Sequence, residues 1–426
     1  MKITQFHLPT LKENPSEASI ASHRLMLRSG MIRQHAAGIY SWLPYGLLML
    51  RKVEAIIRDE LNQAGCLELL MPTMQPSELW EESGRGGYGD ETLKAIDRHE
   101  RTLIYGPTHE EVITDVFRRT VKSYKQLPIN MYQIQWKFRD EIRPRFGVMR
   151  GREFLMKDAY SFSVDEESHN ALYDTMYRTY FKIFHRIGLK VIPFKADTGM
   201  IGGDKSHEFQ VVAETGESEI YYDRDLEALT ESPVLDIEAI QSKYSAADEK
   251  HGQIACNVAP ENLVKARGIE VGHIFYLADK YTSPMKALIN NANGKEVPVM
   301  MGAHGIGVSR LLGAIIEVHH DDKGMMLPES VAPFKVGIVN IRQGDTVCDA
   351  VCDEVYNKLQ AASVDTLYHN ADERAGAKFA TMELIGVPYM VTVGPKSAAR
   401  GEVELVTRTT GEKQVMSVED ALIFLS

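Results

Sequence analysis

The chain has 426 residues, a formal net charge of -11 and four cysteines. That length exceeds what one hydrophobic core supports, so at least two domains are expected, with no apolar run long enough to span a membrane and no signal peptide. The acidic balance argues against indiscriminate nucleic-acid binding but permits a local positive surface, and Cys66, Cys256, Cys348 and Cys352 lack metal-ligand spacing and fit a reducing cytoplasm.

From Tyr45 to Ala64, Leu47, Leu48, Leu50, Val53, Ile56, Ile57 and Leu61 recur at helical spacing; Gly65 stops the helix, and a short strand, Cys66 to Met71, ends at Pro72. Thr108 with Glu111 forms a capping box before an apolar-periodic helix, Val112 to Tyr124. Glu110 is not needed by that cap. The stretches Lys137 to Glu141 and Arg150 to Phe154 read as strand, loop, strand, with Pro144, Gly147 and Gly151 in the turn. Alternation places Arg139 and Glu141 on one strand face. A guanidinium fork suits an α-phosphate, a carboxylate accepts from an adenine amine, and Phe154 on the return strand can stack on the base. Taken alone, the same pattern is a surface hairpin with solvated charges. Lys137, Arg139, Arg143, Arg145, Arg150, Arg152 and Lys157 supply a local positive surface.

Asp197 to Ser206, carrying Gly199, Gly202 and Gly203, reads as a mobile loop or as an ordinary turn. Between Arg224 and Lys265 the texture becomes polar and acid-rich, as in an insertion. In the strand Gly268 to Phe275, alternation puts Glu270 and His273 on opposite faces unless a bulge intervenes. The strand Val297 to Met301 then runs into Gly302 to Arg310 and a helix, Leu311 to Val318. Its Gly-x-Gly is shared with dinucleotide-binding sites, but Arg310 takes the third glycine position and no ribose-binding acid follows. Gly-x-Gly-x-x-Arg instead suits an arginine aimed at a γ-phosphate. His319 to Asp322 reads as a solvated loop, and Pro328 to Pro333 as a linker. Strands Phe334 to Ile341, Val364 to His369, Tyr389 to Gly394 and Glu402 to Thr409, with helices Thr346 to Ala361, Ala375 to Ile385 and one opened by Ser417, predict a compact α/β domain with a mainly parallel sheet.

The blocks at 45–72, 137–158 and 302–318, in that order, resemble the three motifs of class II aminoacyl-tRNA synthetases, and the whole chain resembles the bacterial prolyl-tRNA synthetases. The further residues that carry this resemblance are Gly106 to Glu111, Asp197 to Gly203, Ser206 to Phe209, Arg267 to Phe275 and Met382 to Gly386. It implies an α+β fold: an antiparallel-sheet catalytic domain over 1–333 with a short insertion at 224–265, then a small α/β anticodon-binding domain over 334–426. It also implies activation of L-proline with ATP and Mg2+, transfer to tRNA(Pro), a homodimer built on the first motif, and no structural zinc or other intrinsic metal.

By the resemblance, Thr108, Glu110, Arg139 and His273 hold proline, while Arg139, Glu141, Arg150, Phe154, Glu270 and Arg310 hold ATP, with Arg139 and Arg310 catalytic. Glu373, Arg374 and Lys378 are the anticodon candidates. Many bacterial relatives carry a large editing domain where only 224–265 stands here, so a separate trans-editing hydrolase is expected as a partner. Two rivals stand beside this reading: a synthetase for threonine, glycine or histidine, and a non-catalytic paralogue acting as a regulatory RNA-binding protein.

Overall fold

The structure, a computed structural model, describes every residue except Gly87, Tyr88, Asp90, Met200, Asp204 and Pro233. It divides into two compact units, Glu54–Ala314 and the pair of segments Met1–Val53 with Ile315–Ser426. This division departs from the boundary expected at residue 333. The reason lies in the packing of the N-terminal segment: the buried Tyr45 hydroxyl donates to the Ile385 carbonyl at 2.5 Å, its ring stacks on Phe334 at 6.2 Å, and Lys2 bridges to Tyr368.

The unit Glu54–Ala314 is built on nine strands: β1 (Leu67–Glu68), β2 (Ile129–Phe138), β3 (Glu153–Ser163), β4 (Ile192–Lys195), β5 (Lys205–Val212), β6 (Ser218–Asp223), β7 (Ser245–Ala247), β8 (Leu263–Ala278) and β9 (Met300–Gly307). Their order is β5-β4-β7-β6-β8-β9-β3-β2-β1, and β5 also pairs with β8. All pairings are antiparallel except β1 with β2 and β4 with β7. The expected strand Cys66 to Met71 shrinks to β1, because the Met71 N–H bonds the Gln133 side chain (3.0 Å) instead of continuing the ladder. The acid-rich stretch does not stand apart: it supplies helices Asp225–Glu231 and Ile237–Ser242 and then β7, inside the sheet order.

Four helices bear on the site: α1 (Pro44–Gln63), α2 (Glu110–Thr120), α3 (Glu166–Arg186), which packs on β3, β8 and β9, and α4 (Val308–Val318). On α1, Leu50, Val53, Ile56, Ile57 and Leu61 are buried, as the helical spacing predicts. On β3, Phe154, Met156, Asp158 and Tyr160 line a cavity on one face, whereas Lys157 on the other reaches the Tyr180 hydroxyl of α3 at 2.7 Å. The run Gly302 to Gly307 belongs to strand β9 itself. Gly302 is required there, since a Cβ would come within 2.7 Å of the Ser161 hydroxyl.

The tail forms a five-stranded sheet of β10 (Val336–Asn340), β11 (Thr366–His369), β12 (Tyr389–Val393), β13 (Glu402–Thr407) and β14 (Lys413–Ser417), in the order β11-β10-β12-β13-β14. The first three are parallel and the rest antiparallel. Helices α5 (Thr346–Ala361), α6 (Ala375–Ile385) and α7 (Val418–Leu425) pack on it. The Ser417 hydroxyl accepts from the Asp420 N–H at 3.0 Å, the cap the sequence predicts. The edge strand β14 escapes sequence reading because Lys413, Gln414 and Val415 are all exposed and show no alternation. Cys348 and Cys352 are buried, unbonded packing residues of α5.

Candidate active site

A cavity of about 520 Å3 opens on the face of β3, β8 and β9, and all nine residues proposed from the sequence for proline and ATP line it. Five of them arrive by a different local geometry from the one expected, in three places. First, β2 ends at Phe138; the Arg139 N–H still bonds Arg152 O (2.9 Å), but the Asp140 N–H turns to Glu91 O (2.8 Å). Arg139 and Glu141 therefore sit in a loop, not on one strand face. Second, no capping box forms at Thr108: the helix begins at Glu110 with His109 as its uncapped N-cap, and the Thr108 hydroxyl donates to Glu110 Oε1 at 2.8 Å. Third, a bulge in β8 opposite Phe209 and Gln210 turns Glu270 and His273 toward one another, at 3.2 Å.

The amino-acid end of the cavity rests on a buried polar floor. Lys137 pairs with Asp158 at 2.8 Å without hydrogen-bond alignment, and Asp158 Oδ2 accepts from Gln133 (3.0 Å) and the Tyr160 hydroxyl (2.9 Å). The Tyr160 hydroxyl in turn accepts the His109 N–H at 2.9 Å, which fixes the start of α2. Burial pushes the Asp158 carboxyl up, but the Lys137 and His109 charges and these bonds outweigh it and hold it below the usual range. His109 itself is lowered to about 4, chiefly by burial. Lys137 and Lys157 are fully buried, so neither belongs to the positive surface expected of them.

Arg139 lies over Phe154, its guanidinium carbon 5.3 Å from the ring centroid, and donates weakly to Pro107 O at 3.4 Å. Its buried Nε has no hydrogen-bond partner among the described residues, leaving a cationic donor free for an anion. Glu141 accepts from Arg150 Nε at 2.9 Å and from the Arg143 N–H at 2.9 Å. Burial would raise its carboxyl, yet these donors hold it low. Arg310, in the first turn of α4, reaches Met149 O (2.8 Å) and Glu270 O (3.0 Å), with its carboxylate at 3.4 Å.

Glu208 completes this corner. On β5 it stands opposite His273 of β8, at 3.8 Å, and accepts from Gln210 at 2.7 Å. Burial, then the neighbouring Glu270 charge, pushes its carboxyl up to about 8, while Glu270 is held well below the usual range against its own burial by His273 and Arg310. Glu208, Glu270 and His273 bring ligand atoms within 4.8 Å of one another.

Family models match this chain twice: a tRNA synthetase class II core domain (G, H, P, S and T) over residues 92–319 and an anticodon binding domain over 335–426. A proline–tRNA ligase of Caulobacter sp. strain K31 is 56% identical, covering 100% of this chain and 98% of that one. The chain belongs to the proline–tRNA ligase family. A second member, from Parvibaculum lavamentivorans, is 55% identical over 99% of each chain. Among solved structures, the prolyl-tRNA synthetase of Cryptosporidium parvum complexed with L-proline and AMP matches with a TM-score of 0.77 at 17% identity, covering 97% of this chain and 75% of that one, and so shares the fold.

Within this proline–tRNA ligase fold, the remaining candidates are placed as follows. Gly199, Gly202 and Gly203 have φ of +53°, +76° and +105°, and a Cβ on Gly203 would meet the Tyr276 carbonyl. Their turn is tied by Lys280 and Tyr281, which both donate to Ile201 O, a residue that lines the cavity. Met200 and Asp204 of the expected loop lie outside the described residues. Ser206 is not in the loop: it is buried in β5, donating to Ala196 O at 3.1 Å. In the tail, Glu373 and Arg374 are exposed before α6, while Lys378 is fully buried and donates to Asn340 O at 2.9 Å. Asp321, expected in a solvated loop, accepts a bidentate pair from Arg408. Sequence reading missed Glu208 and Arg85. Glu208 stood within the quoted Ser206 to Phe209 block, whereas Arg85 follows Glu81-Glu82-Ser83-Gly84 with no recognisable pattern.

Proposed function

We infer that this chain activates L-proline with ATP and transfers it to tRNA(Pro), and the observation that carries the reading is whole-length identity of more than half with proline–tRNA ligases, joined to a cavity lined by Thr108, Glu110, Arg139 and His273. Glu110 and Thr108 take the secondary ammonium of proline. Arg139, its Nε unoccupied, faces the amino-acid carboxylate and the α-phosphate. The carboxylate oxygen attacks the α-phosphorus as the bond to pyrophosphate breaks, so the work is positioning and charge stabilisation rather than covalent catalysis. Phe154 stacks on adenine, Arg150 and Arg310 orient the outer phosphates, and Glu141 holds Arg150 in place. The terminal adenosine hydroxyl of the tRNA then displaces AMP.

The paired carboxylates Glu208 and Glu270 have the oxygen chemistry Mg2+ takes, and the ion would supply neutralisation of phosphate charge beside them. The turn at Gly199 to Gly203 covers the amino acid. The tail, 334–426, reads the anticodon at the exposed Glu373 and Arg374; Lys378, being buried, supports that corner through Asn340. A homodimer through the first motif is supported by Leu67 and Leu70, 55% and 74% exposed at the sheet's β1 edge, and sedimentation showing only a 47.9 kDa species at micromolar concentration would exclude it. The enzyme works in the cytoplasm, and a separate hydrolase clears mischarged tRNA.

The test is exchange of labelled pyrophosphate into ATP with each amino acid in turn. Exchange is expected with proline foremost, and Arg139→Ala is expected to cut it by roughly 100-fold or more, as lost oxyanion donors do. Exchange with threonine, glycine or histidine alone, or with none, would replace this reading with a rival.

A further inference from the structure

We propose that Arg85 is a positioning residue for amino-acid recognition, holding Glu110 in its receiving orientation and dividing one cationic nitrogen between Glu110 and Glu111 until an amino-acid ammonium arrives. The proposal rests on the assignment of Glu110 to the proline ammonium.

Arg85 emerges just after the helix Ser77–Glu82 and is 8% exposed. Its guanidinium carbon lies 4.9 Å from the Trp80 ring and 5.4 Å from the Tyr281 ring. One nitrogen, Nη1, stands 3.1 Å from Glu110 Oε2 and 3.1 Å from Glu111 Oε1. Thr108 occupies the other Glu110 oxygen at 2.8 Å, so both ends of that carboxylate are fixed before any ligand binds. Glu111 also accepts from the Ser83 hydroxyl at 2.9 Å, and its Oε2 is buried with no partner among the described residues.

Two buried carboxylates thus share one nitrogen of one cation. Each carboxylate is only partly compensated by that nitrogen, and an under-compensated buried carboxylate is costly. Two occupants can make up the difference: a proton on Glu111, or an ammonium at Glu110. Burial, against the pull of Arg85 and with the push of Glu110, raises Glu111 to about 7, so the proton is available at neutral pH. The other charges nearby are Lys280, which feels Arg85, Glu110 and Glu111, and Lys137 with Asp158 and the Tyr160 hydroxyl on the far side of Glu110. Lys280 donates to the Ile201 carbonyl and keeps its charge within reach of both carboxylates, while Lys137 pairs with Asp158. Bound ammonium favours the Glu111 carboxylate, so by reciprocity acidification through Glu111 weakens proline binding.

The experiment measures proline KM, ATP KM and kcat by pyrophosphate exchange between pH 6 and 8 for the wild type, Arg85→Gln, Arg85→Lys and Glu111→Gln. Arg85→Gln is expected to raise proline KM at least about tenfold with ATP KM little changed, since truncating one partner of a buried charge pair is read mainly in the ligand it positions. Arg85→Lys restores part of that loss. Wild-type proline KM rises as pH falls below 7, and Glu111→Gln, which has no proton to release, flattens that rise. Should Arg85→Gln fail to fold, the Glu111→Gln pH profile alone decides. An unchanged proline KM in a folded Arg85→Gln, equal losses toward proline and ATP, or a Glu111→Gln profile as steep as wild type would overturn the proposal. Glu110→Gln separates the two layers: if it leaves proline KM intact, the assignment of Glu110 fails, whereas a large effect there with none at Arg85 fails only the present inference.

Discussion

Replacing Lys137 by Met should destabilise the protein through the charge it abandons. Lys137 and Asp158 lie 2.8 Å apart with side chains 0% and 5% exposed. Removing one member of such a pair costs about 3–5 kcal/mol. Asp158 keeps donors from Gln133 at 3.0 Å and Tyr160 at 2.9 Å, which places the expected loss at the lower end, about 3 kcal/mol, or roughly 3–6 °C in Tm. The double variant Lys137→Met with Asp158→Asn should recover at least half, because no buried charge is then orphaned. Acidity supplies a sign. Asp158 has a folded pKa below its unfolded value, so its contribution is present above about pH 4 and lost as pH falls through the folded value. In Lys137→Met, burial is opposed by less positive charge and the carboxyl titrates higher, so the stability gap to wild type should narrow as pH falls from 7 toward 5. Calorimetric melts of the three proteins across that range provide the measurement. A single variant within about 1 kcal/mol of wild type, or a gap that widens on acidification, would refute the reasoning.

Arg374→Ala should raise the tRNA KM several-fold while leaving proline-dependent pyrophosphate exchange unchanged, since the Arg374 side chain is exposed before α6 and has no hydrogen bond or ion pair among the described residues; an equal effect on both reactions would contradict a tRNA-selective role. The enzyme should form some alanyl-adenylate, because a missing methylene in an apolar pocket is worth only about 1–3 kcal/mol of discrimination. It should not clear alanine from preformed alanyl-tRNA(Pro), since the described residues between Arg224 and Lys265 form two short helices and a strand committed to the sheet. Rapid enzyme-dependent ester loss would show an editing surface.

Where side-chain pattern alone decides an element, the sequence was sufficient. The apolar stripe of α1, the alternating tail elements and the Ser417 cap all have local causes, and each appears within a few residues of its expected position. Where an element ends because a backbone group finds a distant partner, the pattern misleads. β1 stops when Gln133 takes the Met71 N–H, and β2 stops when Asp140 turns to Glu91, and neither partner is adjacent in sequence. The N-terminal segment is the larger case. Nothing local to Tyr45 announces that its hydroxyl belongs to Ile385.

The site divides along the same line, between residue identity and residue relation. The nine cavity residues could be named because their chemistry suits a phosphate, a base or an ammonium at positions a family resemblance marks. Their electrostatic states could not, because charge in a buried site is a property of groups taken together. Glu208 and Glu270 have the same side chain, yet one is driven up by burial and its neighbour while the other is held down by His273 and Arg310. Glu110 and Glu111 are adjacent in the chain, and capping logic divided them wrongly: it gave Glu111 to the helix, whereas Arg85 holds it beside Glu110. An arginine without a motif around it is invisible to pattern reading, and here it stands 3.1 Å from both Glu110 and Glu111. The residues hardest to read from the sequence are therefore those whose role is to set the state of another residue.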